Sequence, residues 1–370
     1  MARKRKARAR GTKSLTQTEL PIEDRRGDDS EELVPFRYSI TSYGADYPVD
    51  GLVKRMASGD IRVPSFQRGF VWKFKQASRF VESLLLGLPV PGIFLSKESE
   101  SQKLLVIDGQ QRLRTLEYFY KGVFSATSRD FKLEGVQKQF LGLTYKSLTE
   151  EDRRRLDDGI IHATVVRQDQ PSDDQSSIYY IFERLNTGAS ELFEQEIRAA
   201  IFHGEFNDLL HRLNQEKTWR SVYGPVNRRM RDEELILRFL ALNFRSEKYA
   251  RPMKEFLNDY MGKNRHLKLN DSDAVANAFV RTIETVARCM GSKAFKPRAS
   301  FNAAVFDSVM VGINRRLSKG PITDCKAVKR KYDLLLKHAG FLASSQRATA
   351  DEESVRNRLG LATAAFADVR

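Results

Sequence analysis

The chain has 370 residues, of which 41% are hydrophobic and 10% aromatic, which argues against wholesale disorder and allows one large domain or two to three smaller ones. No apolar run approaches the roughly 18–20 residues that a membrane span needs, and two cysteines supply neither a disulfide framework nor a cysteine zinc site. The formal net charge of +15 favours a polyanionic partner, of which nucleic acid is the obvious one.

The N-terminal tail carries about half of this excess charge. Its first 13 residues, MARKRKARARGTK, include seven basic and no acidic side chains, and an acidic stretch follows between Glu23 and Glu32. We expect residues 1–34 to be disordered and to serve either as an arm that contacts nucleic acid or as a solubilising tail. Since no apolar segment follows the basic residues, we do not expect the tail to be a secretory signal, and we expect the protein in the cytoplasm.

The next segment alternates between helical and extended patterns. Apolar residues recur at helical spacing three times, and two short apolar runs separated by the polar loop KESESQ predict a β-hairpin. A short extended stretch, broken at Pro64, precedes the second helix. The predicted helices are 47–60, 73–86 and 110–121, and the predicted strands are 92–96 and 103–107. The second strand therefore leads into the third helix through the turn DGQQR.

The mixed pattern continues to about residue 205, and beyond it the pattern is helical throughout. We predict a strand at 160–167, flanked by helices at 146–157, 173–185 and 192–203. Beyond residue 205 the clearest helical segments are 232–244, 252–261, 272–290, 302–317 and 325–338. The predicted fold class is α+β, with an α/β domain over 35–205 followed by an all-α region over 206–370.

The DGQQR turn is the strongest candidate site. Gly109 permits a tight turn or a close approach to a ligand, and a helix N-terminus favours anions. Arg112 lies in the first helical turn, where its guanidinium could hold a phosphate, and Gln110 and Gln111 can both donate and accept hydrogen bonds. The alternative is purely structural, with Asp108 capping the helix and pairing with Arg112.

Two further segments contribute polar side chains. Gln67 and Arg68 stand among large apolar residues in FQRGFVW, either at the mouth of an apolar pocket or in an ordinary loop. Asn186 and Thr187 follow a predicted helix in FERLNTG, as hydrogen-bonding groups for a ligand or as part of a helix end. In the next helix, Glu194 and Glu196 suit the helix dipole and are a weaker candidate for holding a metal.

The three segments together resemble one family. VPSFQRGFVW, LLVIDGQQRLRTL and FERLNTGASELFEQEIRAA occur in this order, and over residues 40–205 the chain resembles the N-terminal domain of GmrSD-type restriction endonucleases. The resemblance implies a ParB/sulfiredoxin-like α/β fold followed by helices. One departure is Arg114, where the family more often has threonine, which adds a positive charge beside the turn.

The resemblance also implies chemistry for the three motifs. It implies a nucleoside triphosphate with Mg²⁺ as cofactor, with Asp108, Gln111 and Arg112 as catalytic residues. The nucleotide-binding residues that it implies are Gln67, Arg68, Gly109, Gln110, Arg112, Asn186 and Thr187. No metal ligand is assigned. Asp108 would position the metal or water, Gln111 would orient the nucleophile or the base, and Arg68 and Arg112 would hold phosphates.

The function expected from the resemblance is a nucleotide-binding component of a prokaryotic system that restricts phage or modified DNA. Relatives often carry a histidine-dependent nuclease domain, but the five histidines lie in no such motif, so we read them as structural or surface residues. We therefore expect DNA and a partner nuclease or other defence subunit as partners, and a homo-oligomer is left open. Whether the nucleotide is hydrolysed is also left open.

The alternative is a DNA-binding module without catalysis, which senses modified DNA or recruits a nuclease. Basic pairs in the helical half would then grip phosphates: Arg228 with Arg229, Arg315 with Arg316, and Lys329 to Lys331. Each of these groups could equally belong to a solvated helix face. A third hypothesis is an assembly subunit whose C-terminal helices dock a partner.

Overall fold

The structure is a computed structural model that describes residues 39–63, 70–98, 101–125, 127–170, 176–185, 193–297, 300–346 and 349–370. The tail expected to be disordered, and the side chains of Gln67, Arg68, Asn186 and Thr187, lie outside these ranges. In the described part of the chain, no helix combines the length and apolar character needed to cross a membrane.

A mixed five-stranded sheet organises the N-terminal half. Its strands are β1 Ser39–Pro48, β2 Ile61–Arg62, β3 Ile93–Lys97, β4 Leu104–Asp108 and β7 Ile160–Gln170, in the spatial order β1-β7-β3-β4-β2. β3 and β4 form the antiparallel hairpin that the sequence predicts, whereas β2 runs parallel to β4 and β7 runs parallel to β3. A separate small ribbon pairs β5 Val123–Phe124 with β6 Arg129–Asp130.

Helices cover both faces of the sheet and make up the C-terminal half. In the N-terminal half they are α1 Val49–Ala57, α2 Phe74–Leu85, α3 Gln110–Lys121, α4 Glu150–Asp157, α5 Ser176–Leu185 and α6 Glu194–Ile201. The later helices are α7 Glu205–Asn214, α8 Lys217–Tyr223, α9 Arg231–Arg245, α10 Met253–Lys263, α11 Ser272–Met290, α12 Ala303–Leu317, α13 Cys325–Leu335, α14 Ala339–Gln346 and α15 Glu352–Phe366. The predicted α/β region followed by an all-α region is confirmed.

Several helices begin where a short polar side chain accepts the otherwise unpaired backbone N–H groups of the first turn. Asp271 accepts from the amides of Asp273 and Ala274 at α11, and Asn302 accepts from Val305 at α12. Thr149 and Asp324 do the same for α4 and α13. These caps explain why the boundaries predicted from periodicity lie close to the observed ones.

Two apolar cores flank the sheet. One face contributes Leu104, Val106 and Ala163 to a core with α1 to α4. The opposite face contributes Leu105, Ile107 and Val166 to the core that also contains α6 and the C-terminal helices. The alternation follows from the two-residue period of a strand, which sends successive side chains to opposite faces. The sheet therefore packs directly against the helical region.

Two features differ from the sequence-based expectation. No strand was predicted before residue 47, yet β1 pairs with β7 along its whole length, in antiparallel register. The cysteine count indicated no disulfide framework, but Cys289 near the end of α11 and Cys325 at the start of α13 are joined in a disulfide. This single disulfide links two helices of one core. A count of two cysteines excludes a framework of several disulfides, but it does not exclude one bond between them.

Candidate nucleotide-binding site

Gly109 shapes the turn between β4 and α3. Its φ of 101° lies in the left-handed region, and it is the N-cap residue of α3, with no side-chain cap. A Cβ atom at this position would lie 2.4 Å from Cγ2 of Ile93 on the neighbouring strand β3. Both the backbone conformation and the space beside it therefore require glycine.

Asp108 and Arg112 form an ion pair across the turn. Nη2 of Arg112 donates to Oδ2 of Asp108 at 2.8 Å and to the carbonyl of Gly92 at 3.0 Å. The Arg112 side chain is 15% exposed, and its Nε is buried without an acceptor among the described residues. The ion pair of the structural alternative is thus present, but the cap is not, because Gly109 rather than Asp108 is the N-cap residue.

Gln111 links the second motif to the segment that follows the first. Its Oε1 accepts hydrogen bonds from the backbone N–H groups of Val71 at 3.0 Å and Trp72 at 3.3 Å. The backbone at Val71 and Trp72 therefore lies against the start of the DGQQR helix. Since β2 and β4 are parallel, the segments that follow them also leave the sheet at the same edge. In open α/β sheets, ligands bind in the crevice at this carboxyl edge.

The helices beside the third motif are fixed by ion pairs. Glu194 pairs with Arg198 at 2.6 Å. Glu196 accepts from the backbone N–H of Phe193 and pairs with Arg229 at 3.2 Å. In the described residues, no group of three or more histidine, cysteine or acidic side chains could hold a metal ion. The two glutamates considered for a metal serve here as partners of arginines.

A large open cleft of about 1440 Å³ lies where the α/β half meets the helical half. Phe70, Val71 and residues of α6 line it on the α/β side, and residues of α7, the α8–α9 loop and the start of α9 line it on the other. Val71 is one of the two residues held by Gln111. The cleft therefore shares a wall with the segment that joins the first two motifs.

His211 and Glu233 form a dyad in this cleft that the sequence did not indicate. Nδ1 of His211 lies 3.1 Å from Oε1 of Glu233, whose side chain is only 4% exposed. Burial raises the pKa of the Glu233 carboxyl, and the hydrogen bond from His211 opposes that rise. The two residues stand on different helices, 22 positions apart. No local spacing signal could have found them.

The mixed sheet, with helices on both of its faces, places the N-terminal half in the class of α/β domains. The family comparison is more specific, because residues 49–203 match the model described as GmrSD restriction endonuclease, N-terminal domain. This match confirms the resemblance drawn from the three motifs. A search of curated proteins found no match.

Proposed function

We propose that the domain over residues 49–203 binds a nucleoside triphosphate at the DGQQR turn. The match to the GmrSD N-terminal family associates the chain with a restriction system. In that setting the chain would act as the nucleotide-binding component, with DNA cleavage carried by a partner nuclease. The observation that supports this proposal most is the pair of hydrogen bonds that Gln111 accepts from the backbone of Val71 and Trp72. It unites two motifs that are 40 residues apart along the chain.

The chemistry of the turn supports a phosphate ligand. Arg112 is held against the sheet by the carbonyl of Gly92, so its guanidinium has little freedom left to lose on binding. Asp108 is 53% exposed and can exchange the arginine for a hydrated Mg²⁺ that accompanies the nucleotide. The helix N-terminus adds backbone N–H groups and a partial positive charge.

The basic pairs of the helical half give less support to the DNA-binding alternative. Arg229 pairs with Glu196, and Lys329 pairs with Asp333. Arg315 donates to the hydroxyls of Thr363 and Ser246, while Arg316 donates to the carbonyls of Val369 and Gly320. These four side chains are less available to a phosphate backbone, whereas Arg228 is exposed. Because most of the basic pairs are engaged, we favour nucleotide binding over DNA binding.

The test is calorimetric binding of each of the four nucleoside triphosphates with Mg²⁺, comparing the wild type with Arg112→Ala. We expect at least a tenfold loss of affinity in the variant, since hydrogen bonds to charged groups contribute about 1.5–3 kcal/mol. Lys121→Ala is the matched control, because it removes a basic residue from the far end of the same helix, where Lys121 is 62% exposed.

Circular dichroism would show that both variants keep the fold. Equal affinities for wild type and Arg112→Ala would place the nucleotide elsewhere. No binding to any nucleotide, together with DNA affinity that falls steeply with salt, would favour the DNA-binding alternative.

A further inference from the structure

The contact between His211 and Glu233 favours one tautomer of the imidazole ring. The buried Glu233 carboxylate lies against Nδ1 of His211, which favours the tautomer with its proton on Nδ1. Nε2, on the opposite side of the ring, is then left with a lone pair. The His211 side chain is 65% exposed and lines the cleft. The ring thus presents a proton acceptor to the space in which a ligand would lie.

The carboxylate of the dyad is buried and accepts a second hydrogen bond. Oε1 of Glu233 also accepts from Nδ2 of Asn214 at 3.3 Å, and Oε2 is buried without a partner among the described residues. The adjacent Asp232 is fully buried and accepts from Arg220 and from the amide of Asn227. Glu233 can therefore orient His211 without rearrangement, as a preorganised site requires.

Cationic side chains stand beside the dyad in the same cleft. Arg212 and Arg228 are exposed there, and the described part of the chain offers neither an acidic partner. Arg229 faces the cleft as well, while pairing with Glu196. Guanidinium groups bind phosphate oxygens strongly and stabilise the charge that develops during phosphoryl transfer. A proton acceptor and phosphate-binding groups thus share one cavity, whose wall includes Val71, the residue that donates a hydrogen bond to Gln111.

We propose that His211 is the general base for hydrolysis of the terminal phosphoanhydride of a nucleotide that extends from the DGQQR turn into this cleft, an inference that rests on the proposed function. His211 Nε2 takes a proton from water, and the water oxygen forms a bond to the terminal phosphorus. The bond from that phosphorus to the bridging oxygen breaks, and its electron pair leaves with the nucleoside diphosphate. Inorganic phosphate is the second product, and His211 releases its proton to solvent.

Glu233 is a positioning residue in this scheme. It acts through His211 and does not touch the reacting atoms. Arg212 and Arg228 would hold the terminal phosphate, and Val71 would form the wall that the polyphosphate crosses.

The test measures steady-state hydrolysis of the nucleotide that binds, by phosphate release, in the wild type and His211→Ala. We expect a loss of about 100-fold or more in kcat, the range for removal of a general base, with nucleotide affinity nearly unchanged. Added imidazole should restore part of the lost rate, since it can occupy the space of the missing ring. His162→Ala is the matched control, because His162 is equally exposed and also lies against a carboxylate, that of Asp46 at 2.6 Å.

Glu233→Gln distinguishes positioning from a structural role. It should lower kcat in the wild type but change the residual rate of His211→Ala very little, because the ring that it orients is already gone. Full additivity of the two substitutions would contradict that role.

The inference fails if the wild type binds nucleotide without hydrolysing it, if His211→Ala keeps its rate, or if imidazole restores none of the loss. In each case nucleotide binding stands unaffected. Absence of nucleotide binding in the wild type would instead remove the proposed function and this inference together.

Discussion

Gly109 combines two constraints that the sequence suggests only in part. A glycine between an apolar strand and a helix predicts a tight turn, and the φ of 101° agrees with it. The contact with Ile93 could not be predicted, because it depends on the register of β3 against β4. The hydrogen bonds that Gln111 accepts from Val71 and Trp72 could not be predicted either. These residues are about 40 positions away in the sequence, and no local pattern indicates that they are in contact.

We predict that Gly109→Ala destabilises the domain by about 2–5 kcal/mol. A positive φ costs an alanine about 1–2 kcal/mol, and forcing a methyl group into the space beside Ile93 adds about 1–3 kcal/mol. Urea denaturation followed by tryptophan fluorescence would measure the loss. Gly142→Ala is the control, since Gly142 has a φ of 80° but no atom within 4 Å of the added methyl. Equal losses in the two variants would show that the contact with Ile93 contributes nothing.

At the scale of elements, the predicted helices and the central hairpin are confirmed because their apolar periodicity is strong. β1 escaped prediction because its sequence, SITSYGADYP, has few apolar residues and its side chains are mostly exposed. It is an edge strand, so its backbone pairing with β7 rather than a buried face defines it. Such a strand carries little period-two signal in its own sequence.

Arg198 occupies a buried position of helix α6, where the apolar periodicity would predict a hydrophobic residue. Arg198 is fully buried and donates to Glu194, Gln195, Glu234 and Asn258. These partners connect α6 to α9 and α10. Burial raises the pKa of Glu194, and the charge of Arg198 opposes that rise. Arg198 is therefore a buried cation whose two acidic partners remain partly exposed, Glu194 at 48% and Glu234 at 26%.

We predict that Arg198→Met lowers the free energy of unfolding by about 1.5–3 kcal/mol at pH 7, the range for hydrogen bonds to a charged group, because the carboxylates left behind are partly exposed to water. The deficit should shrink on acidification, because burial raises the pKa of Glu194 and protonation then neutralises a carboxylate that has lost its cation. Urea denaturation at pH 7 and pH 5 would measure both effects. Arg155→Ala, which removes an exposed arginine paired with Glu151, should change little. A deficit that does not depend on pH would show that lost packing, not charge, dominates.

The whole molecule is held together across the junction of its two halves. The core of the helical half includes sheet residues Leu105 and Val166, so much of this junction is apolar. One polar contact reinforces it at the rim, where Arg265 donates to Glu98 at 2.7 Å and to the carbonyl of His203 at 2.6 Å. Both side chains of this ion pair are mostly buried. It links the end of β3 to the region after α10, beside the cleft.

The pKa of Glu98 gives this junction a defined dependence on pH. Burial tends to raise that pKa, but hydrogen bonds from Ser101 and Arg265 outweigh burial and lower it below its ordinary value of 4.5. Ionised Glu98 therefore favours the folded state. Its contribution should be complete above about pH 4.5 and should be lost as the pH falls through the lower pKa of the folded protein.

We predict that Glu98→Gln lowers the free energy of unfolding by about 1.5–3 kcal/mol at pH 7, the value of a hydrogen bond to a charged group. The difference from the wild type should narrow below pH 4.5, because the wild-type carboxyl then becomes neutral as well. Urea denaturation at pH 7, 5, 4 and 3.5 would follow this change, with Glu151→Gln as an exposed control. A difference that stays constant down to pH 3.5 would mean that the charge of Glu98 does not stabilise the junction, and that only the shape of its side chain matters there.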